Sequence, residues 1–188
     1  MKVAIVYSTP SKRSMETEYS ETDADSKTIA LTVERGLREK KYETELIEIC
    51  EDKIDLILEI KADVIFNLIE WCGRDIELSI KSFGYFKQLG IPVTGSSQEL
   101  FVLTGDKSCL KTRLLEFGLP TPQAQTFVTG EERIELSCYP VIVKPSLEHC
   151  STGLTKESIA HNEVELRKII RRQIADFAQP ALAEEFIV

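Results

Sequence analysis

The sequence predicts an α/β fold: a parallel sheet near the N-terminus, followed by a smaller α+β unit. Three observations carry this. Short apolar runs rich in β-branched residues alternate with segments of helical period as far as about residue 93. Beyond residue 104 the order changes to helix, two strands, helix and strand. Charges of both signs are interspersed throughout, so neither half is set apart as a tail.

Val3–Tyr7 has the unbroken apolar character of a central parallel strand. The polar stretch 8–26 reads as a long loop at that strand's carboxyl end, a length that favours a functional role. From Lys27 the spacing of Ile29, Val33 and Leu37, with Ala30 and Gly36 beside them, predicts a helix with one apolar face, ending near Lys40 and Lys41. Thr44–Ile49 reads as a second strand, Ile54–Ile60 as a short helix and Val64–Phe66 as a third strand. Asn67–Asp75 is a polar loop. Ile76, Ile80 and Phe83 mark a helix that stops near Gly90, and Ile91–Val93 reads as a fourth strand closed by residues 94–97. In such sheets ligands bind beyond the carboxyl ends of the strands.

In the second unit, Asp106–Phe117 predicts a helix ended by Gly118 and Pro120. Ala124–Val128 and Tyr139–Lys144 predict two strands joined through a polar hairpin region. A small-residue loop follows at Ser146–Gly153. Val164, Ile169, Ile170, Ile174 and Phe177 give a helix face, and Ala181–Ile187 a last strand. The expected arrangement is an antiparallel sheet with its helices on one face. The expected domains are 1–103 and 104–188.

The formal net charge of the 188 residues is -8, which disfavours nucleic acid and anionic membranes as partners. The five cysteines form no C-x-x-C pair, and two histidines complete no zinc set, so reduced thiols in a cytoplasmic protein are expected. The first strand is followed by Ser8-Thr9-Pro10 rather than G-x-G-x-x-G, which argues against a nicotinamide dehydrogenase. No phosphate P-loop is present.

The residues with chemistry gather in the second unit. Lys144 ends a strand, so a rigid base can aim its ammonium into a cleft, with Pro145 fixing the turn. Lys107 opens a helix of the same unit. Ser151, Thr152 and Gly153 form a loop tip small enough for backbone N–H groups to approach an anion. Glu184 and Glu185 lie on the last strand, where a carboxylate can accept from an amino group or a hydroxyl. Taken alone, a strand-end lysine is most often a solvated charge; sequence context decides otherwise here.

That context is four segments in order: Leu89-Gly-Ile-Pro-Val-Thr-Gly-Ser96, Thr104-Gly-Asp-Lys107 through Gly118-Leu-Pro-Thr-Pro122, Pro140-Val-Ile-Val-Lys-Pro-Ser146, and Leu182-Ala-Glu-Glu-Phe186. Together they resemble the D-alanine–D-alanine ligases of the ATP-grasp superfamily. The resemblance implies a Rossmann-like (pre-ATP-grasp) sheet followed by the first ATP-grasp subdomain. It implies an ATP-dependent carboxylate–amine ligase working through an acylphosphate. It implies Lys107 and Lys144 on the ATP phosphates, the loop carrying Ser151 as a lid, Glu184 on the adenine side, and the backbone from Glu185 to Ile187 nearby. A glutamate from the first loop, one of Glu16, Glu18 and Glu21, is implied for the amino group of a small amino-acid-like carboxylate substrate.

Relatives continue for on the order of 100 residues past the Glu184 strand, as an extra half-domain needs. That part supplies the magnesium ligands, so no metal ligand or catalytic residue is assigned here. Alone, the chain is expected to bind ATP weakly at most. A second copy or a complementing C-terminal half is the expected protein partner. The alternative is a non-catalytic interaction module or one half of a split ligase. Departures from the pattern fall mainly on the amino-acid side: Asn67–Asp75 lacks a histidine, and the first loop lacks a glycine pair. The lid differs too, reading His149-Cys150-Ser151.

Overall fold

The computed structural model describes residues 1–15 and 26–187. Glu16, Glu18 and Glu21 therefore lie outside the described residues. The chain divides into two compact units, Met1–Phe101 and Val102–Val188.

The first unit comprises β1 (Lys2–Ser8), α1 (Lys12–Met15), α2 (Ser26–Glu39), β2 (Glu43–Ile49), β3 (Val64–Leu68) and α3 (Ile76–Leu89), with 3-10 turns over Glu51–Glu59. The strands form a parallel sheet in the order β2-β1-β3. Central β1 is buried on both faces, which is why it reads as a continuous apolar run. Val3, Ile5 and Tyr7 pack with Ala30, Val33 and Leu37 of α2. Ala4 and Val6 join Ile54, Ile57, Trp71 and Phe86 on the other side.

Several expectations shift in detail. Ile29 is 42% exposed. The inward face of α2 is turned one residue to Ala30, whose small side chain lets the helix lie close on β1. Residues 12–15 form a short helix where a loop was expected. The expected fourth strand shrinks to a single parallel bridge between Ile65 and Val93. Pro92 accepts from Ile65 N at 2.8 Å but has no N–H to extend the ladder. Helix α3 ends where the glycine predicted it: Gly90 adopts φ 72° and donates to Phe86 O.

Helix α4 (Gln98–Gly105) was not legible as a helix. Its start is marked only by Ser97, whose hydroxyl accepts from Leu100 N at 3.3 Å.

The second unit holds α5 (Lys107–Glu116), β4 (Ala124–Phe127), β5 (Val141–Pro145), β6 (Ile159–Ala160), α6 (Glu163–Phe177) and β7 (Ala181–Glu185). Its antiparallel sheet runs β4-β7-β5-β6. The expected β4–β5 hairpin is therefore absent, because β7 inserts between them. Small Ala181 and Ala183 share the core with the bulkier Phe127, Val141 and Val143. Helix α6 is capped by Asn162, which accepts from Glu165 N at 3.0 Å while Glu165 accepts from His161 N. It buries Leu166, Ile169, Ile170, Gln173 and Phe177; Val164, expected on that face, is 81% exposed. Helix α5 reaches the opposite face of the sheet, so the helices do not share one side. Ser108 Oγ lies 2.7 Å from Thr126 Oγ1, and Lys111 pairs with Glu184.

Candidate functional site

Strand alternation creates the site. Along β5, Val141 and Val143 turn inward to α6. Ile142 and Lys144 must therefore project from the other face. In β7 the same alternation puts Leu182 and Glu184 beside them, in register Lys144↔Leu182 and Ile142↔Glu184.

Helix α5 supplies the next layer. Asp106 caps it, accepting from Ser108 N at 2.8 Å and Cys109 N at 3.2 Å. This cap fixes Lys107 in the first turn. The Lys107 ammonium donates to the carbonyls of Pro145 (3.0 Å), Ser146 (3.4 Å) and Glu148. It thus ties the start of the loop to α5. Buried Ser146 strengthens the tie, with Oγ 2.9 Å from Ser108 Oγ and donating to Asp106 at 3.3 Å.

A cavity of about 260 Å³ opens at this corner, lined by Lys107, Lys144, Pro145, Glu148, His149, Cys150, Ser151, Thr152 and Leu154. That is just under the roughly 300–1,000 Å³ of pockets enclosing a whole drug-sized ligand, so it suits part of a larger molecule. Its far wall is the loop after β5. Cys150, Ser151 and Gly153 take left-handed backbone conformations there, at φ 53°, 60° and 73°. At Gly153 a side chain would run into the Phe177 ring, so glycine is required for space as well as for φ. The loop is anchored at both ends. Leu147 N donates to Gln179 Oε1 at 2.7 Å, and Gln173 Nε2 donates to Gly153 O at 3.1 Å.

Electrostatics favour an anion. Glu184 is joined to Lys144 on one oxygen and to Lys111 on the other, at 2.8 Å for Lys111. All three side chains are largely buried, 13% exposed for Lys111 and Glu184 and 22% for Lys144. Burial pushes the Glu184 carboxyl up. The hydrogen bonds and charges of Lys111 and Lys144 outweigh it, holding the group below the ordinary glutamate range and ionised. The triad therefore keeps one net positive charge. His149 is held below its usual value by desolvation and then by the Lys107 ammonium, so it is neutral near pH 7.

Of the residues singled out from the sequence, Lys107, Lys144 and Ser151 line the cavity. Glu184 adjoins it through Lys144. Glu185 and Ile187 lie along and beyond the end of β7, outside that lining, with Ile187 exposed. Lys111 was missed. The available signal was its position four residues after Lys107, which puts both on one face of α5. His149, assigned no chemistry from sequence, is part of the wall. Among the described residues no group of three or more His, Cys, Asp or Glu side chains is placed to hold a metal ion. The Mg2+ that the resemblance leads one to expect finds no donor set among them.

No family model matches the chain. A D-alanine–D-alanine ligase of Alcanivorax borkumensis is 32% identical over 155 residues, covering 82% of this chain and 47% of that protein. The crystal structure of D-alanine–D-alanine ligase from Bacillus anthracis matches 100% of this chain and 57% of its own, with a TM-score of 0.71 at 17% identity. The chain carries a D-alanine–D-alanine ligase-like ATP-grasp fold. The same Bacillus anthracis enzyme complexed with ATP matches this ligase-like chain with a TM-score of 0.70 at 20% identity. The uncharacterized protein y4sG of Sinorhizobium fredii is 32% identical over 124 residues, 66% of this chain and 36% of that protein. The ligase-like chain thus spans less than half the length of these two curated relatives. Among its described residues no helix is long and apolar enough to cross a membrane.

Proposed function

We propose that this chain is the nucleotide-binding N-terminal portion of an ATP-dependent carboxylate–amine ligase of the D-alanine–D-alanine type. The observation that carries the reading is the placement of Lys107 and Lys144 on one cavity walled by a small-residue loop. A polyphosphate tail is the ligand whose charge such a pair suits. At 4 Å each ammonium–phosphate contact is worth about 4 kcal/mol before desolvation, at an effective dielectric constant near 20. Lys144, projecting from a strand, takes the phosphate oxygens. Lys107 fixes the loop start and adds its charge. The loop around Ser151 closes over the phosphates and keeps water from them.

The adenine then lies toward Glu184, Glu185 and Ile187. Glu184 uses one bond per oxygen on lysines, and each oxygen retains a lone pair for an amino group or hydroxyl. In the whole enzyme ATP phosphorylates a small amino-acid-like carboxylate, and an amine then attacks the carbonyl of the acylphosphate and expels phosphate.

Titration with a fluorescent ATP analogue tests this. Lys144→Ala should weaken binding at least tenfold, about 1.4 kcal/mol. Equal binding by the wild type and the variant would remove the phosphate assignment.

A further inference from the structure

The second lysine on α5 lies outside the cavity lining yet is as buried as the glutamate it holds. Lys111 Nζ reaches Glu184 at 2.8 Å and donates to Thr121 Oγ1 at 2.7 Å. The opposite oxygen of Glu184 holds Lys144. A buried carboxylate stripped of its only cation is strongly unfavourable. Any anion that draws Lys144 away must therefore leave Glu184 with another partner.

We infer that Lys111 is a positioning residue for the cavity: it retains Glu184 when an incoming phosphate takes Lys144, so that Lys144 can change partner without stranding a buried charge. The geometry suits this. Glu184 holds its two lysines on separate oxygens, so losing one contact leaves the other intact. Lys111 comes from a helix and Lys144 from a strand, so each is fixed independently. Thr121, which precedes β4, accepts from Lys111 and keeps it off the cavity.

The inference rests on the nucleotide reading above, and the experiment separates the two. The probe is inorganic tripolyphosphate, which has no adenine to touch Glu184, measured by displacement of a fluorescent nucleotide from the full chain. Lys111→Met should weaken tripolyphosphate binding by about tenfold, at the lower end of coupling between linked sites. Lys111→Arg, which keeps the charge, should restore most of it. Adding Glu184→Gln to Lys111→Met should recover affinity relative to Lys111→Met alone, because the stranded carboxylate is gone. A purely structural role would not give that recovery.

Tripolyphosphate binding unchanged in Lys111→Met, or no recovery in the double variant, would overturn the inference. If Lys144→Ala also binds like the wild type, the nucleotide reading itself fails. If Lys144→Ala binds weakly while Lys111→Met is unaffected, only the role of Lys111 fails. Circular dichroism and thermal unfolding check that each variant folds. Should Lys111→Met not fold, Lys111→Gln, which keeps the polar contact with Thr121 and loses the charge, carries the same comparison.

Discussion

The two faces of the antiparallel sheet in the second unit are built from the same strands and do opposite work. One face presents Phe127, Val141, Val143, Ala181 and Ala183 to α6 and is sealed from water. The other presents Thr126, Lys144 and Glu184, tied to Ser108 and Lys111 of α5 by polar contacts. Residues one position apart thus belong to different problems. Val143 packs in the core and Lys144 lines the cavity because a strand turns successive side chains to opposite sides. The loop between β5 and β6 serves both: Gly153 packs on Phe177 of α6, while Ser151 and Thr152 line the cavity.

Substitutions should separate the faces. Phe127→Ala, on the sealed face with no exposure, should cost about 3–5 kcal/mol in urea unfolding. Nucleotide affinity at a temperature where the variant is folded should be unchanged. Gly153→Ala should cost about 2–4 kcal/mol, from a left-handed φ and a side chain driven into Phe177. It should also weaken nucleotide binding, since it displaces the cavity wall; unfolding and titration read the two effects. Lys107→Ala reverses the balance. Affinity should fall by roughly tenfold, as for one charge-assisted contact, with a smaller loss of stability from the freed loop carbonyls.

The smallest expected effect lies away from the site. Glu132 accepts backbone N–H groups from Thr129 and Val128, which lower its pKa from 4.5 to about 2. A depressed carboxyl stabilises fully above its unfolded value and loses that contribution as pH falls through the folded one. The thermal midpoint of Glu132→Gln should therefore lie below that of the wild type at pH 7. The gap should close between about pH 4.5 and pH 2. A gap that persists below pH 2 would refute the assignment.

The sequence made the parallel sheet legible because β1 is apolar on both faces and because Gly90 ends α3 where a left-handed cap is needed. It misled where the signal was one of face rather than of type. Ile29 and Val164 fit a helical period, but the partner surface selected Ala30 and Leu166 instead. The order β4-β7-β5-β6 could not be read, since strand pairing depends on long-range packing and a polar connection looks the same whether or not it closes a hairpin. At the site, Lys107 and Lys144 stood out because each sits at a helix or strand end. Lys111 lies inside a helix with no such mark, and the fold reveals the buried glutamate it meets.

Lysine acetylation footprinting, read by mass spectrometry over a titration with ATP, asks whether the paired ammonium groups hold a nucleotide. Lys144 and Lys107 should become protected with a common midpoint, while exposed Lys40, Lys41 and Lys156 react as before. Lys144 modified at the same rate with and without saturating ATP would contradict a phosphate site at this cavity.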